Sequence, residues 1–549
     1  MRAAVIAIAV GAVVAGPATA TAQTPQVLRF HGGGYDNASV ITSDGSGNSY
    51  VGGYSEPREG ANTFVVNKLG PDGAVRWTAR YDGSRGGGGG QADAVAVDAA
   101  GNVYAAGYIA EGEIFSTTYD YLVVKFGPDG TQRWAQRYNG PGNYDDFARQ
   151  VAVDGAGNTY VTGFSYGEGY GYDWATLKFS PTGALLWERR LSGPAGQSDD
   201  RASELALLPG GNLVVAGVTQ TGGEQFPDND VELVAYDPQG SVVWQRRWSD
   251  TAISHEFVWD LDVDGSGRIT ITGTTQENTS PYVPPLPLTL RYDSGGTLLQ
   301  TIRTDGGAAV DIDAAGNVFV AGTFVTSPST VAKFSASGAR VWFAPLTFGD
   351  FDFLSMPVVA ADAAGAVTVA GTLRDTITHN DHYMTIRFAA DGRELWRHRF
   401  AGVADAGQRD QVADLAIDAA GAALVTGTSW NGYGSLGGTA EDIVTLKFAA
   451  GAAPALLPPS GLQASALSAS QIRLTWQDNA GTEDGFRIDR CAGTGCSAFS
   501  QVAVVGPDVT GYVDGGLARN SAYSYRVRAF NAAGASAYSN IATAKTRRK

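Results

Sequence analysis

The feature that most constrains this chain is a short motif that returns eight times. "VDAAGNVYAAGY" (97–108) has relatives starting at Ser43, Val153, Leu207, Val263, Ile312, Ala361 and Ile417. Each copy is an apolar run, a polar turn with glycine, then a second apolar run, the pattern of a β-hairpin. The turn glycines are Gly47, Gly101, Gly157, Gly211, Gly267, Gly316, Gly365 and Gly421, spaced by 54, 56, 54, 56, 49, 49 and 56 residues. In the opening copy Gly101 and Asn102 are the two residues suited to positive φ. A repeat of about 50 residues is too small to bury a core alone, so it must stack on its neighbours.

The second half of each unit repeats as well, as in "DYLVVKFGPDGTQRWAQRY" from Asp120 and "DWATLKFSPTGALLWERRL" from Asp173. These read as hairpins, with Trp77, Trp134, Trp187, Trp244, Trp342 and Trp396 placed to pack between neighbouring units. Four strand-like segments per unit match a propeller blade. The 73 glycines and 23 tyrosines against three methionines also fit an all-β chain. The eighth unit lacks its tryptophan strand, whereas "QVLRF" near the N-terminus matches the end of one. The N-terminal strand is therefore expected to complete the last unit and remove its open edge. The expected fold is an eight-bladed β-propeller over residues 23–450, with seven blades as the alternative if one degenerate unit is not a blade.

The units resemble the bacterial SBBP β-propeller repeats, whose hallmark is a segment like "VDAAGNVYVTG". That resemblance implies the fold and no particular activity. "PALLPPSG" (454–461) then breaks the pattern, giving a linker at 451–457. Residues 458–546, with Trp476 in "SQIRLTWQD", "DGFRIDR", "GYVDGGL" and "AYSYRVRAFNAAGASAYSN", resemble a fibronectin type III domain, an immunoglobulin-like sandwich. Tyr523 stands where that family has its tyrosine corner. Such modules in bacterial exported proteins are mostly spacers or binding appendages.

Residues 1–22 carry Arg2, an apolar run from Ala3 to Ala15 and small residues at Ala20 and Ala22, the layout of a secretory signal peptide. Apart from that segment, no stretch is apolar for long enough to span a bilayer. A secreted, cell-surface or periplasmic bacterial protein is the expectation. The net charge of −16 argues against a nucleic-acid partner. Cys491 and Cys496, the two cysteines of the chain, are close enough for a local disulfide in an oxidising compartment.

Eight residues before the turn start of each repeat stand Asp36, Asp146, Asp200, Glu256, Asp305 and Asp410, while Gly90 and Leu354 hold the place in the other two units. One reading is a ring of acids at a channel mouth, holding a cation such as calcium. The preferred reading is structural, each carboxylate accepting backbone amides of its own loop. No other cofactor is expected. Two glycine-rich loops supply aromatic candidates for stacking on sugar rings: Tyr166, Tyr170, Tyr172 and Trp174, and Trp430 with Tyr433. "HNDH", with His379 and His382, reads as a surface loop rather than a metal site.

These features favour an exported, non-catalytic binding or scaffold protein, its partner a polysaccharide or an extracellular or cell-surface protein. The alternatives are a secreted enzyme (glycosidase, lyase or quinoprotein-like) and a structural protein of the cell envelope. The propeller region resembles quinone-dependent dehydrogenases in its repeated tryptophans, yet it has no cysteine for that family's paired-cysteine motif. There is also no Gly-x-Ser-x-Gly elbow for hydrolysis.

Overall fold

The computed structural model describes residues 25–32, 34–56, 62–81, 83, 89–111, 117–169, 171–194, 199–221, 228–250, 254–277, 285–303, 307–324, 327–346, 351–353, 357–376, 378–402, 409–433, 439–449, 458–478, 485–506, 509–531 and 534–549. The proposed signal segment and linker, with Tyr170 and Asp305, lie outside them. The described residues are all-β, without a helix, and divide into two compact units, one spanning Gln23–Gly451 and one containing Ala452–Lys549.

The larger unit is a series of antiparallel meanders of four strands per sequence repeat, with those of the fourth and fifth repeats joined into one eight-stranded sheet and the first strand of the seventh split into Phe351–Phe353 and Val358–Ala361. The second runs Gly90–Val97, Val103–Glu111, Thr118–Phe126, Gln132–Tyr138; the third runs Asp146–Val153, Thr159–Tyr166, Tyr172–Phe179, Leu185–Leu191. Every turn glycine of the motif takes positive φ, from 77° at Gly316 to 85° at Gly211, a region L side chains avoid. Asn102 does not share this role. Its side chain donates to Asp98 at 2.8 Å, while Asp98 also accepts the Ala100 and Asn102 amides, each at 2.9 Å, and the Tyr104 hydroxyl at 3.0 Å. The motif's Asp and Asn therefore tie the turn, and glycine alone bends it. In "DVDGSGR" Asp264 does the same, accepting from Ser266 and Arg268.

Successive repeats touch through two devices. The first strand of each repeat packs on the first strand of the next, and the strand Gln411–Ile417 of the eighth packs on Asp36–Ser43 of the first. On the fourth strands, five indoles donate to the following repeat's hairpin: Trp77 to Pro128 at 2.9 Å, Trp134 to Pro181 at 3.1 Å, Trp187 to Pro238 at 3.2 Å, Trp244 to Ser294 at 3.0 Å and Trp342 to Ala390 at 3.0 Å. The facing turn keeps a glycine because a Cβ at Gly240 would stand 2.9 Å from Trp187. In the eighth repeat Gln26–Phe30 supplies the fourth strand, pairing antiparallel with Thr439–Phe448 from Gln26↔Lys447 to Phe30↔Ile443. There Leu28 stands against Gly73, where other repeats place tryptophan.

The smaller unit is a sandwich. Ser460–Ala466, Ile472–Gln477 and Gly511–Asp514 form one sheet, and Ser500–Val505, Gly485–Ala492, Ala522–Asn531, Gly534–Ala535 and Ala542–Lys545 the other. Leu474, Trp476, Phe486, Ile488, Tyr525 and Val527 fill its core. The Tyr523 hydroxyl accepts the Ala518 amide at 3.0 Å, the backbone link of a tyrosine corner. Cys491 and Cys496 are joined by a disulfide.

Candidate functional site

Five of the six repeated acids lie within the described residues. Asp36, Asp146, Asp200, Glu256 and Asp410 are fully buried. Each accepts a backbone amide of the loop before it: Asp36 from Gly32 at 2.5 Å, Asp146 from Gly140 at 2.7 Å, Asp200 from Gly193 at 2.5 Å, Asp410 from Gly402 at 2.7 Å and Glu256 from Asp250 at 3.4 Å. A Cβ at Gly193 would lie 2.5 Å from Asp200, and one at Gly402 would lie 2.6 Å from Ser429. The loop glycines thus let the backbone close onto the carboxylate. Burial, the largest effect, pushes the carboxyls of Asp36 and Asp146 up despite these bonds.

A different set of acids lies between the first strands, seven residues before the turn glycine or two after that. After a β-bulge, Glu204, Asp260 and Asp414 turn toward the adjoining repeat. Asp260 accepts the Val310 amide at 2.8 Å, Asp311 the Ala361 amide at 2.5 Å, and Asp414 the Ile41 amide at 2.8 Å, so the last pair joins the eighth repeat to the first. Glu204 accepts from Gln150 at 3.1 Å. Burial, then the charge of Asp260, pushes Glu204 up to about 8. Burial, then Asp311, pushes Asp262 up to about 8, and the two carboxyls share a hydrogen bond. Sequence reading missed these positions, although an acid amid the alternating apolar residues of "DLDVDG", "VDIDAAG" and "ADLAIDAAG" was the signal.

The aromatic loops resolve into a strip and a core residue. Trp174 is 1% exposed and donates its indole N–H to Val218 of the next repeat at 2.9 Å. It is a packing residue, which corrects its expected place on a ligand face. Tyr166 and Tyr172 are a cross-strand pair with ring centroids 5.5 Å apart. From them the contacts run Tyr166 to Tyr144 (4.9 Å), Tyr172 to Phe164 (5.1 Å), Phe164 to Phe147 (5.4 Å), and Phe147 to Tyr108 (5.2 Å) and Tyr119 (5.6 Å). Seven rings in contact, on the second and third repeats, make one partly exposed band that ends in Tyr144, 59% exposed. The Arg201 guanidinium lies 5.1 Å from the Phe164 ring and 5.2 Å from that of Tyr172. Nearby, Arg149 pairs with Asp93 at 3.4 Å. Trp430 lies half-buried on the strand Ala423–Tyr433 of the eighth repeat, which Tyr433 ends. His379 sits in a turn at φ 58°, whereas His382 is buried on the strand Asp381–Phe388, not in the surface loop expected of it.

Residues 457–545 match the family model of the fibronectin type III domain. Over 96 residues, 17% of this chain, the sequence is 40% identical to an α-amylase of Niallia circulans, spanning only 7% of that enzyme's length. Similar solved structures include an Fn3-like protein from Clostridium thermocellum, 25% identical over 17% of this chain and 97% of that one, with a TM-score of 0.16. The FN5 domain of Drosophila Lar is 21% identical over 17% of this chain and 97% of that one, with a TM-score of 0.15. The C-terminal part of this chain is a fibronectin type III domain.

Proposed function

We propose that the protein is an exported, non-catalytic binding protein whose aromatic band takes an extended polysaccharide, with the type III domain as spacer or tether. The larger unit on this reading is an eight-bladed propeller of SBBP type. Support comes from the cyclic order of contacts among the eight first strands and from the N-terminal strand in the last meander. Export is supported by the signal-like residues 1–22 and by the disulfide, which fits an oxidising compartment. No helix of the described residues is long and apolar enough to cross a membrane.

The observation that carries the binding reading is the seven-ring band. Rings that present partly exposed faces and edges beside an arginine suit the apolar faces and hydroxyl rims of sugars. A catalytic reading gains little from the acids: Asp262 and Asp311 hydrogen-bond to each other, closer than the roughly 5–5.5 Å separation of a retaining glycosidase pair. The test is affinity electrophoresis of the mature protein against a panel of soluble polysaccharides, with Tyr144, Tyr166 and Tyr172 changed together to Ala. At about 1 kcal/mol per ring, the triple change is expected to weaken binding about 100-fold. Retained affinity in the triple variant, or no retardation by any polysaccharide, overturns the reading.

A further inference from the structure

Where the fourth repeat meets the fifth, the strands Asn229–Tyr236 and Ser254–Val263 touch through a single parallel pairing, Asn229 with His255. Side chains alternate along a strand, so Asp228 and Asp230 on one side of that pairing and Glu256 on the other fall on a common face. Their carboxylates offer oxygens within 4.8 Å of one another, and all three residues are more than nine-tenths buried.

Ser254 bonds two of the three carboxylates, its backbone amide donating to Asp228 and its hydroxyl to Glu256, and each acid has a further contact. Asp228 Oδ2 accepts from Thr221 at 3.5 Å, Asp230 Oδ2 stands 3.9 Å from Arg247, and Glu256 Oε1 accepts from Thr275 at 2.9 Å. The other three oxygens, Asp228 Oδ1, Asp230 Oδ1 and Glu256 Oε2, are buried with no hydrogen-bond partner among the described residues. Buried carboxylate oxygens ordinarily find a donor or a cation.

Corresponding junctions show what is different here. Arg190 pairs with Asp173 at 2.8 Å beside Asp200, and Arg29 with Asp442 at 2.7 Å beside Asp36. In the fourth repeat the equivalent arginine, Arg247, is drawn to Glu232 at 2.7 Å. Arg247 thus stands off Asp230 at 3.9 Å instead of bonding to it, and Asp228 adds a third acid.

We propose that Asp228, Asp230 and Glu256 bind a calcium ion that bridges the fourth and fifth repeats. An all-carboxylate donor set selects a hard cation. A span of up to 4.8 Å between donor oxygens is what two Ca–O bonds of about 2.4 Å reach, and three carboxylates can supply up to six of calcium's six to eight oxygens. The magnesium ion, with bonds of about 2.0–2.1 Å and strict octahedral demand, fits less well. The proposal rests on these two strands and is independent of what the aromatic band binds.

The test uses the full chain stripped with a chelator, then titrated with calcium by isothermal calorimetry and followed by scanning calorimetry. Calcium is expected to bind with a heat of reaction and to raise the unfolding temperature. D230N and E256Q are each expected to weaken binding at least tenfold and to lose the thermal shift. With the metal removed, both variants are expected to unfold no lower than the native chain, because each removes a like charge from the cluster. Absence of a calcium response in the native chain, an undiminished response in both variants, or an equal response to magnesium overturns the assignment.

Discussion

Trp187 offers a direct measure of what holds one repeat to the next. Its indole is 8% exposed, lies between Tyr160 and Tyr236 with both ring centroids 6.1 Å away, and donates to Pro238. A tryptophan buries roughly 200 Å², which at about 25 cal/mol per Å² is about 5 kcal/mol. Residual compactness of the unfolded chain lowers that to about 3–4 kcal/mol, and the lost hydrogen bond adds about 1 kcal/mol. Trp187→Ala should therefore destabilise the larger unit by about 4 kcal/mol, within the usual range for emptying such a site. Trp187→Phe keeps most of the apolar contact and loses the N–H, so about 1–2 kcal/mol is expected. Urea unfolding followed by far-ultraviolet circular dichroism reads both, with unchanged m-values as the sign that the same structure is being lost. An alanine variant within about 1 kcal/mol of the native chain, or a phenylalanine variant as damaged as the alanine one, would refute the wedge argument.

Two further outcomes follow from the acids and the sandwich. Glu204 moves from 4.5 to about 8 on folding and Asp262 from 3.8 to about 8; each holds its proton more tightly when folded. Their contribution is complete below the unfolded values and fades as pH rises toward 8, so the melting temperature should fall between pH 5 and pH 8, and E204Q with D262N should flatten that slope; a flat or rising native profile contradicts it. In the type III domain, Tyr523→Phe frees the Ala518 amide and should cost about 1 kcal/mol in denaturant unfolding, and an unchanged midpoint would remove the corner from the account.

What was legible in the sequence follows from how narrowly physics restricts each position. The turn glycines could be assigned because positive φ excludes other residues there, and the eight copies fixed both strand pairs of each repeat. The indole wedges were legible because a large ring recurring in six of the eight repeats needs a neighbour to cover it. The acids resisted, since an aspartate in a repeat serves equally as a loop clasp, an inter-strand link or a ligand, and only the placement of its partners separates these. Asp36 and Asp146 clasp loops, Asp260 and Asp414 link repeats, and Asp230 differs from Asp173 only because Glu232 has drawn its arginine away. Trp174 misled because its glycine-rich surroundings suggested exposure, whereas Gly217 of the next repeat lets the chain close over it.

The pairing of Gln26–Phe30 with Thr439–Phe448 has a consequence in time. Arg29 and its partner Asp442 are separated by 413 residues, so at a synthesis rate of about 5–20 residues per second the first strand waits on the order of 20–80 s for its neighbour to be made. Until then the chain's opening segment has no docking place in the larger unit, and a chain cut short before Phe448 keeps two unpaired strand edges. Completion of the last hairpin thereby serves as a checkpoint on the whole length of the repeat array, passed only by chains made through Phe448.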